Sequence, residues 1–304
     1  MPSFVTHDYF AAEALAHAPE ELSALCRQHA AVYSWGAQGF DPLCYHYAPL
    51  GGPLSGCGRA LHHIPPVPLL EALAKAADGE KNDAARAWLL GLCTHYILDR
   101  TLSPLIRAVA HERLAPQHPG MAAKRLENLC ATDLDRAVAE ECITAEPVLF
   151  PAYRLLQTAH AALRAPSQML ALCASRVTEG KVSAAMCARA MRDMRRVHET
   201  LFYGGDTAYD KLRASEADAG HTGRLSALKM RTLPLPADCA NRSRRVWHDF
   251  GGVPRTADAF ILLERAQAAL PPVWEAVWLA CTKGVPLPAE MFDRDFSGLP
   301  ISSP

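Results

Sequence analysis

The stretch Trp88-Leu-Leu-Gly-Leu-Cys-Thr-His-Tyr-Ile-Leu-Asp99 carries a histidine and an aspartate on which metal chemistry could be built. Trp88, Leu92, His95, Tyr96 and Asp99 fall at i, i+4, i+7, i+8 and i+11, the spacing of one helical stripe. His95 and Asp99 therefore point where the tryptophan and the leucine point. A carboxylate on a core stripe is costly to desolvate unless a cation or several donors receive it. Two ligands four residues apart on a helix can reach one ion, as His-x-x-x-His pairs do in zinc sites. A mutual hydrogen bond at a helix end suits the same spacing, and the pair alone does not separate the two readings.

Four further residues join these in the first third of the chain. His7 precedes a helix expected from about Asp8 to Ala31, with Phe10, Ala14, Leu15 and Leu22 inward and a break near Pro19. Asp41 follows Trp-Gly-Ala-Gln-Gly-Phe and precedes a proline, so a turn presents it from a loop or a helix start. Residues 49–57 are rich in Gly and Pro and read as a surface loop. His62 and His63 stand just ahead of a helix expected over about Pro66 to Asp78. The ligand-bearing helix is expected over about Asp83 to Thr101, with Pro104 marking an end or a kink.

The remaining chain is read as helices as well. A helix from about Met121 to Glu141 carries Glu127 and Asp133, and helical patterns continue through 151–163, 167–178 and 183–201. Arg192, Arg195 and Arg196 on the last of these read as a solvated face. Loops with short helices are expected over 204–252. A final helix starts near Thr256, stops before Pro271 and resumes through Trp274 and Trp278 to Cys281. Residues 284–304, rich in Pro, Gly and Ser, are expected to form a poorly ordered tail behind one domain over 1–283.

Composition agrees with an all-α protein: Ala, Leu, Glu and Arg fill the periodic stretches, and no alternating Val/Ile/Thr-rich runs stand out. With 31 basic and 32 acidic residues, no general nucleic-acid or anionic-membrane affinity is expected. The ten cysteines are scattered without a C-x-x-C pair, which argues for buried free thiols. No window approaches a membrane span and the first residues show no secretory pattern, so a cytoplasmic location is expected.

Four motifs in order resemble the zinc-dependent phospholipase C family, in particular its bacterial, non-secreted branch. They are Met-Pro-Ser-Phe-Val-Thr-His7, Trp-Gly-Ala-Gln-Gly-Phe-Asp41, Gly-Arg-Ala-Leu-His62-His63 and Gly-Leu-Cys-Thr-His95-Tyr-Ile-Leu-Asp99. Weaker echoes fall at 238–241, Trp247 and Ala257-Asp-Ala-Phe-Ile-Leu-Leu-Glu-Arg-Ala. The resemblance implies an all-α fold, shared with the helical single-strand nucleases, around three Zn2+ ions that cleave phosphodiesters. It implies that His62, His95, Asp99 and Asp41 hold one zinc, and that Asp99 bridges to a second bound by His7. His63 is the fallback for His62, and Asp41 is the candidate general base.

Two departures matter. Where the family has a histidine four residues past the His-x-x-x-Asp pair, this chain has Ser103; where it has His-x-x-x-Glu, the chain has Ala123 with Glu127. Glu127 is thus a weaker ligand candidate, with His111 and His118 as conceivable substitutes for the lost histidines. What the resemblance implies is a phosphodiester hydrolase with a reduced one- or two-metal site, acting on a phosphodiester small molecule or a phospholipid head group. The alternative is a non-catalytic homologue in which zinc is structural, or a helical scaffold without metal.

Overall fold

A computed structural model of the chain describes residues 3–79 and 82–301. Met1 and Pro2 of the first motif and residues 302–304 of the expected tail lie outside the described residues. The protein is all-α: the one sheet among the described residues is the two-residue antiparallel pair Trp247–His248 with Pro254–Arg255.

Three helices open the chain in place of the one expected over 8–31: α1 (Phe4–Ala16), α2 (Glu20–Gln28) and α3 (Ala30–Ala37). Pro19 separates the first two, as its missing N–H requires. His7 lies inside α1, on its buried face, rather than before it. Asp41 opens the short helix α4 (Asp41–Cys44), with Pro42 at the first-turn position that tolerates a missing donor. The loop expected over 49–57 is shorter, because α5 (Leu54–Leu61) already buries Leu54, Cys57 and Leu61. His62 caps the C-terminal end of α5, and α6 (Pro66–Gly79) follows.

The organising helix is α7 (Asp83–Val109), opened by Asn82, whose side chain accepts from the Ala85 N–H. From Ala87 to Asp99 every residue is buried, because α7 is wrapped chiefly by α3 and by α12 (Ala259–Lys283). The α3 crossing is close enough that a Cβ on Gly36 would lie 2.1 Å from the Trp88 carbonyl oxygen. On the opposite side, Trp274 donates its indole N–H to the Leu90 carbonyl at 2.9 Å. α12 runs through Pro271 and Pro272 without the expected interruption, since Leu270, Val273, Trp274 and Val277 remain buried on one stripe. Between these elements lie α8 (Ala123–Glu141), α9 (His160–Ala174), α10 (Ala184–Phe202) and α11 (Gly205–Asp218). The fourteen residues of α11 exceed the short helices expected there.

Of the two alternatives at Pro104 the helix end is excluded, and the expected disorder of the tail fails. Pro104 does not end the helix, which continues to Val109 and passes into a π-helical turn over Ala110–Leu114. Residues 284–301 are packed rather than poorly ordered: Phe296 is fully buried against Phe40 and Tyr96, and Phe292 packs beside Tyr96. Pro104 leaves the Arg100 carbonyl without its helical donor. Gly298, at φ +85°, lies over that carbonyl, where a Cβ would come within 2.8 Å of it. The glycine that contributes to a disorder-like composition is what lets this segment lie on the helix at Arg100. The Ser297 N–H also donates to the His62 carbonyl at 3.1 Å, so the segment braces a candidate site residue.

Phe296→Ala is expected to destabilise the fold by about 3–5 kcal/mol, read as a lower urea midpoint at unchanged slope. A second test concerns His198, buried against Phe4 and bonded through Nε2 to the Tyr45 hydroxyl at 3.0 Å. Desolvation pushes its ring down from 6.5 to about 3. The folded form therefore stays unprotonated where the unfolded chain takes up a proton, and His198 opposes folding increasingly as pH falls below 6.5. Wild type should lose about 1.4 kcal/mol per pH unit relative to His198→Gln between pH 6 and pH 4. Parallel stability–pH curves for the two proteins would refute this.

Candidate metal centre

α7 brings His95 and Asp99 to its most enclosed face, and three other segments deliver partners. His7 arrives on α1. Asp135 of α8, itself buried, accepts from the Val5 N–H at 3.1 Å, the Thr6 N–H at 2.8 Å and the Thr6 hydroxyl at 2.6 Å. These bonds take up donors that the first turn of a helix leaves unsatisfied and fix where His7 points. Burial raises the Asp135 carboxyl to about 6, and the same bonds pull it back toward the ionised form. His62 stands at the end of α5. Asp41 enters from the turn after α3.

The side-chain atoms converge on Asp99. His7 Nε2 lies 3.3 Å from Asp99 Oδ1, while His95 Nε2 and His62 Nε2 lie 3.4 and 3.6 Å from Oδ2. The His62 and His95 Nε2 atoms are 3.3 Å apart, and His62 Nε2 is 3.5 Å from Asp41 Oδ1. The His7 and His95 rings stack at 4.4 Å. Of these residues only Asp41 is partly open, on the wall of a cavity of about 300 Å3 that also reaches Tyr45, Arg59 and Lys124.

Backbone carbonyls settle the histidine tautomers. His95 donates its Nδ1–H to the Ala37 carbonyl at 3.2 Å, and His62 donates its own to the Gly58 carbonyl at 2.7 Å. In each neutral ring the Nε2 lone pair is then left facing the other ring and the Asp99 carboxylate. Burial lowers His7 and His95 to about 3 and His62 well below 6.5, so these rings are neutral near pH 7. The His62 and His95 lone pairs, 3.3 Å from each other and 3.4–3.6 Å from Asp99 Oδ2, repel unless something positive stands between them. One proton on Asp99, whose carboxyl burial raises, would satisfy one of these contacts and leave the others unmet. Both Asp99 oxygens and both His7 nitrogens lack a hydrogen-bond partner.

A metal ion fits this set. Ligands about 2.1 Å from one tetrahedral centre are about 3.4 Å from each other, the spacing these atoms show. His7, His95 and Asp99 form a buried His-His-Asp group whose ligating atoms all lie within 4.8 Å of one another. His62 touches two of its members. The orienting carbonyls behind His62 and His95 are the outer partners that metal-bound histidines ordinarily have.

The other candidates stand apart. His63 is half-exposed and faces Asp295 at 3.2 Å, away from Asp99. Glu127 is taken by the Lys124 ammonium at 3.4 Å and lies 3.5 Å from the His111 ring, away from the buried cluster. His118 lies beside Arg213 and Arg231 instead. Asp41 is raised to about 7 by desolvation and by the nearby Asp99 carboxylate, which lets it hold or release a proton near neutral pH.

Sequence reasoning missed two positioning residues. Asp135 gave no signal, because its partners are about 130 positions away in sequence. Gly39 was read only as a turn glycine. It sits at φ +52° with the His95 ring against it, and a Cβ there would lie 2.2 Å from His95 Cδ2. No protein-family model, curated protein or solved structure matches the chain.

Gly39→Ala is expected to displace the His95 ring and weaken metal affinity about 10- to 100-fold. Competition against a chromophoric chelator checks it. Gly56→Ala, where an added Cβ meets nothing within 4 Å, is the control that should keep wild-type affinity.

Proposed function

We propose that the chain is a zinc-dependent phosphodiester hydrolase resembling phospholipase C, working with one or two ions. The observation that carries this reading is the pair of His62 and His95 Nε2 lone pairs turned toward Asp99 at 3.4–3.6 Å, with His7 Nε2 at 3.3 Å on its other oxygen and the partly open Asp41 beside them. His7, His62, His95 and Asp99 would hold the metal, with Asp41 as a further ligand or base. Nitrogen and carboxylate donors in a four-coordinate arrangement suit zinc. Zinc, when bound, lowers the pKa of a water and polarises a phosphoryl oxygen.

This chain's own residues supply the rest. Asp41, at the mouth between the cluster and the cavity, accepts the proton of the attacking water. The Gly58 and Ala37 carbonyls keep the two imidazoles in the tautomer that leaves Nε2 available. Arg59 and Lys124 on the cavity wall face the negative charge that builds on the phosphate oxygens. The cysteines, all free thiols and mostly buried, suit the reducing interior of a cell, where we place the protein. No helix among the described residues is long and apolar enough to cross a membrane.

A second reading has an observation of its own. His7, His95 and Asp99 are at most 1 % exposed, which favours an ion that pins α1 to α7 without meeting substrate. Metal analysis of untagged protein separates the possibilities. On the first reading, wild type carries one to two equivalents of zinc, His95→Ala and Asp99→Asn lose it, and hydrolysis across a phosphodiester panel falls about 100- to 1,000-fold in His95→Ala and Asp41→Asn. Zinc without hydrolysis of any panel member selects the structural reading, in which chelation lowers the melting temperature by about 5–10 °C. Metal-free protein at every stage of purification would defeat both.

A further inference from the structure

A second cavity, of about 290 Å3, opens on the other side of His62 and is lined by Arg59, Arg107, Lys124, Ser103, Glu127 and Phe250. Its volume is at the lower end for small-molecule sites, about 300 Å3. Three cationic side chains face one carboxylate here. Lys124 and Glu127 neutralise each other, while Arg107 lies over the Phe250 ring at 5.2 Å, which braces its guanidinium. Among the described residues no carboxylate lies within ion-pair distance of Arg59 or Arg107. The cavity therefore carries excess positive charge.

Ser103 is the independent observation. It is 4 % exposed, lines this cavity, and its hydroxyl has no hydrogen-bond partner. A buried hydroxyl left unpaired costs about 1–3 kcal/mol, and an acceptor in the cavity would remove that cost. A serine hydroxyl and two guanidinium groups together match the oxygens of a phosphate.

Position separates this anion from the one at the cluster. Ser103 and Arg107 follow Asp99 by one and two helical turns on α7, about 6 Å and about 12 Å along the axis. Ser103 and Arg107 line this cavity and not the one beside Asp41. We propose that this cavity is an anion subsite for a phosphomonoester, so that the substrate carries a second, non-scissile phosphate beside the phosphodiester. The notion of a scissile phosphate at the cluster rests on the hydrolase reading above; the subsite itself does not. Arg59 and Lys124, which line both cavities, lie between the two phosphates.

The test uses protein stripped of metal with chelator, so that phosphate binding reports the basic cavity and not an ion. Inorganic phosphate, titrated by calorimetry, should bind with an affinity that falls as salt rises. Arg107→Gln and Arg59→Gln should each weaken it at least 10-fold, and Ser103→Ala several-fold. Glu127→Gln should tighten it, because the competing carboxylate is gone; a Glu127 that acted as a metal ligand would instead lower metal content when changed. Glycerol 3-phosphate and vesicles containing a phosphomonoester lipid, tested in the same way, tell whether the group comes on a soluble molecule or on a lipid, and binding of either that Arg107→Gln weakens supports the subsite. Stripped protein that ignores phosphate, or variants that bind it as wild type does, would overturn the subsite even if metal content and hydrolysis turn out as expected. Failure of hydrolysis with phosphate binding intact would leave the subsite standing and remove only its catalytic neighbour.

Discussion

Everything at this site depends on one buried carboxylate. Asp99 ends a stretch of α7 in which every residue from Ala87 onward is enclosed, and its own side chain is out of reach of water. An ionised carboxylate in such a place demands positive charge or several donors. The surroundings offer three imidazoles, two of which have already spent their N–H on backbone carbonyls. Toward Asp99 Oδ2, what these two rings present is acceptor facing acceptor. That mismatch is the physical content of the metal argument, and it would hold for any sequence that produced the same contacts.

The fold can be understood as the means of holding that mismatch in place. Asp135 ties the start of α1 to α8 and so fixes His7. Gly36 lets α3 come down on α7, and Gly39 leaves room for the His95 ring under the turn that presents Asp41. The segment after α12 closes over Phe40 and Tyr96 and bonds to the His62 carbonyl. Each of these supports reaches one cluster residue through backbone or packing. Loosening any of them would move a ligating atom by fractions of an ångström while leaving the helices intact.

How much of this was legible follows from the range of the interactions. The His95–Asp99 stripe was readable because both residues obey the 3.6-residue period of one helix. The all-helical class was readable for the same reason. Adjacent His62 and His63 could not be distinguished by spacing, since either fits a helix end. What separates them is that His62 bonds the carbonyl four residues back, whereas His63 turns to Asp295 more than 200 residues away. Asp135 and Gly39 act only through contacts formed after folding. The chain after Gly284 was misread because Pro, Gly and Ser were weighed without the two phenylalanines that anchor it. Pro104 and Pro271 are compatible in sequence with a helix end, but tertiary burial on both sides of each outweighs a lost backbone bond.

Glu127 shows how charge type and role can part. A glutamate one helical turn from a basic residue on α8 is an ordinary i, i+3 pair, and here Lys124 and His111 hold both of its oxygens. A fixed ammonium and a metal ion answer the same electrostatic need differently. The ammonium is always present and needs no binding equilibrium, but it cannot activate a water. The metal can, at the cost of an affinity that varies with pH and supply. On the reading we propose, a metal-type cluster at Asp99 and fixed cations from Arg59 to Arg107 divide the work: one end would suit chemistry on a phosphate, the other recognition of a phosphate that is not cleaved. The helix α7 carries both, and its rigidity sets the distance between them.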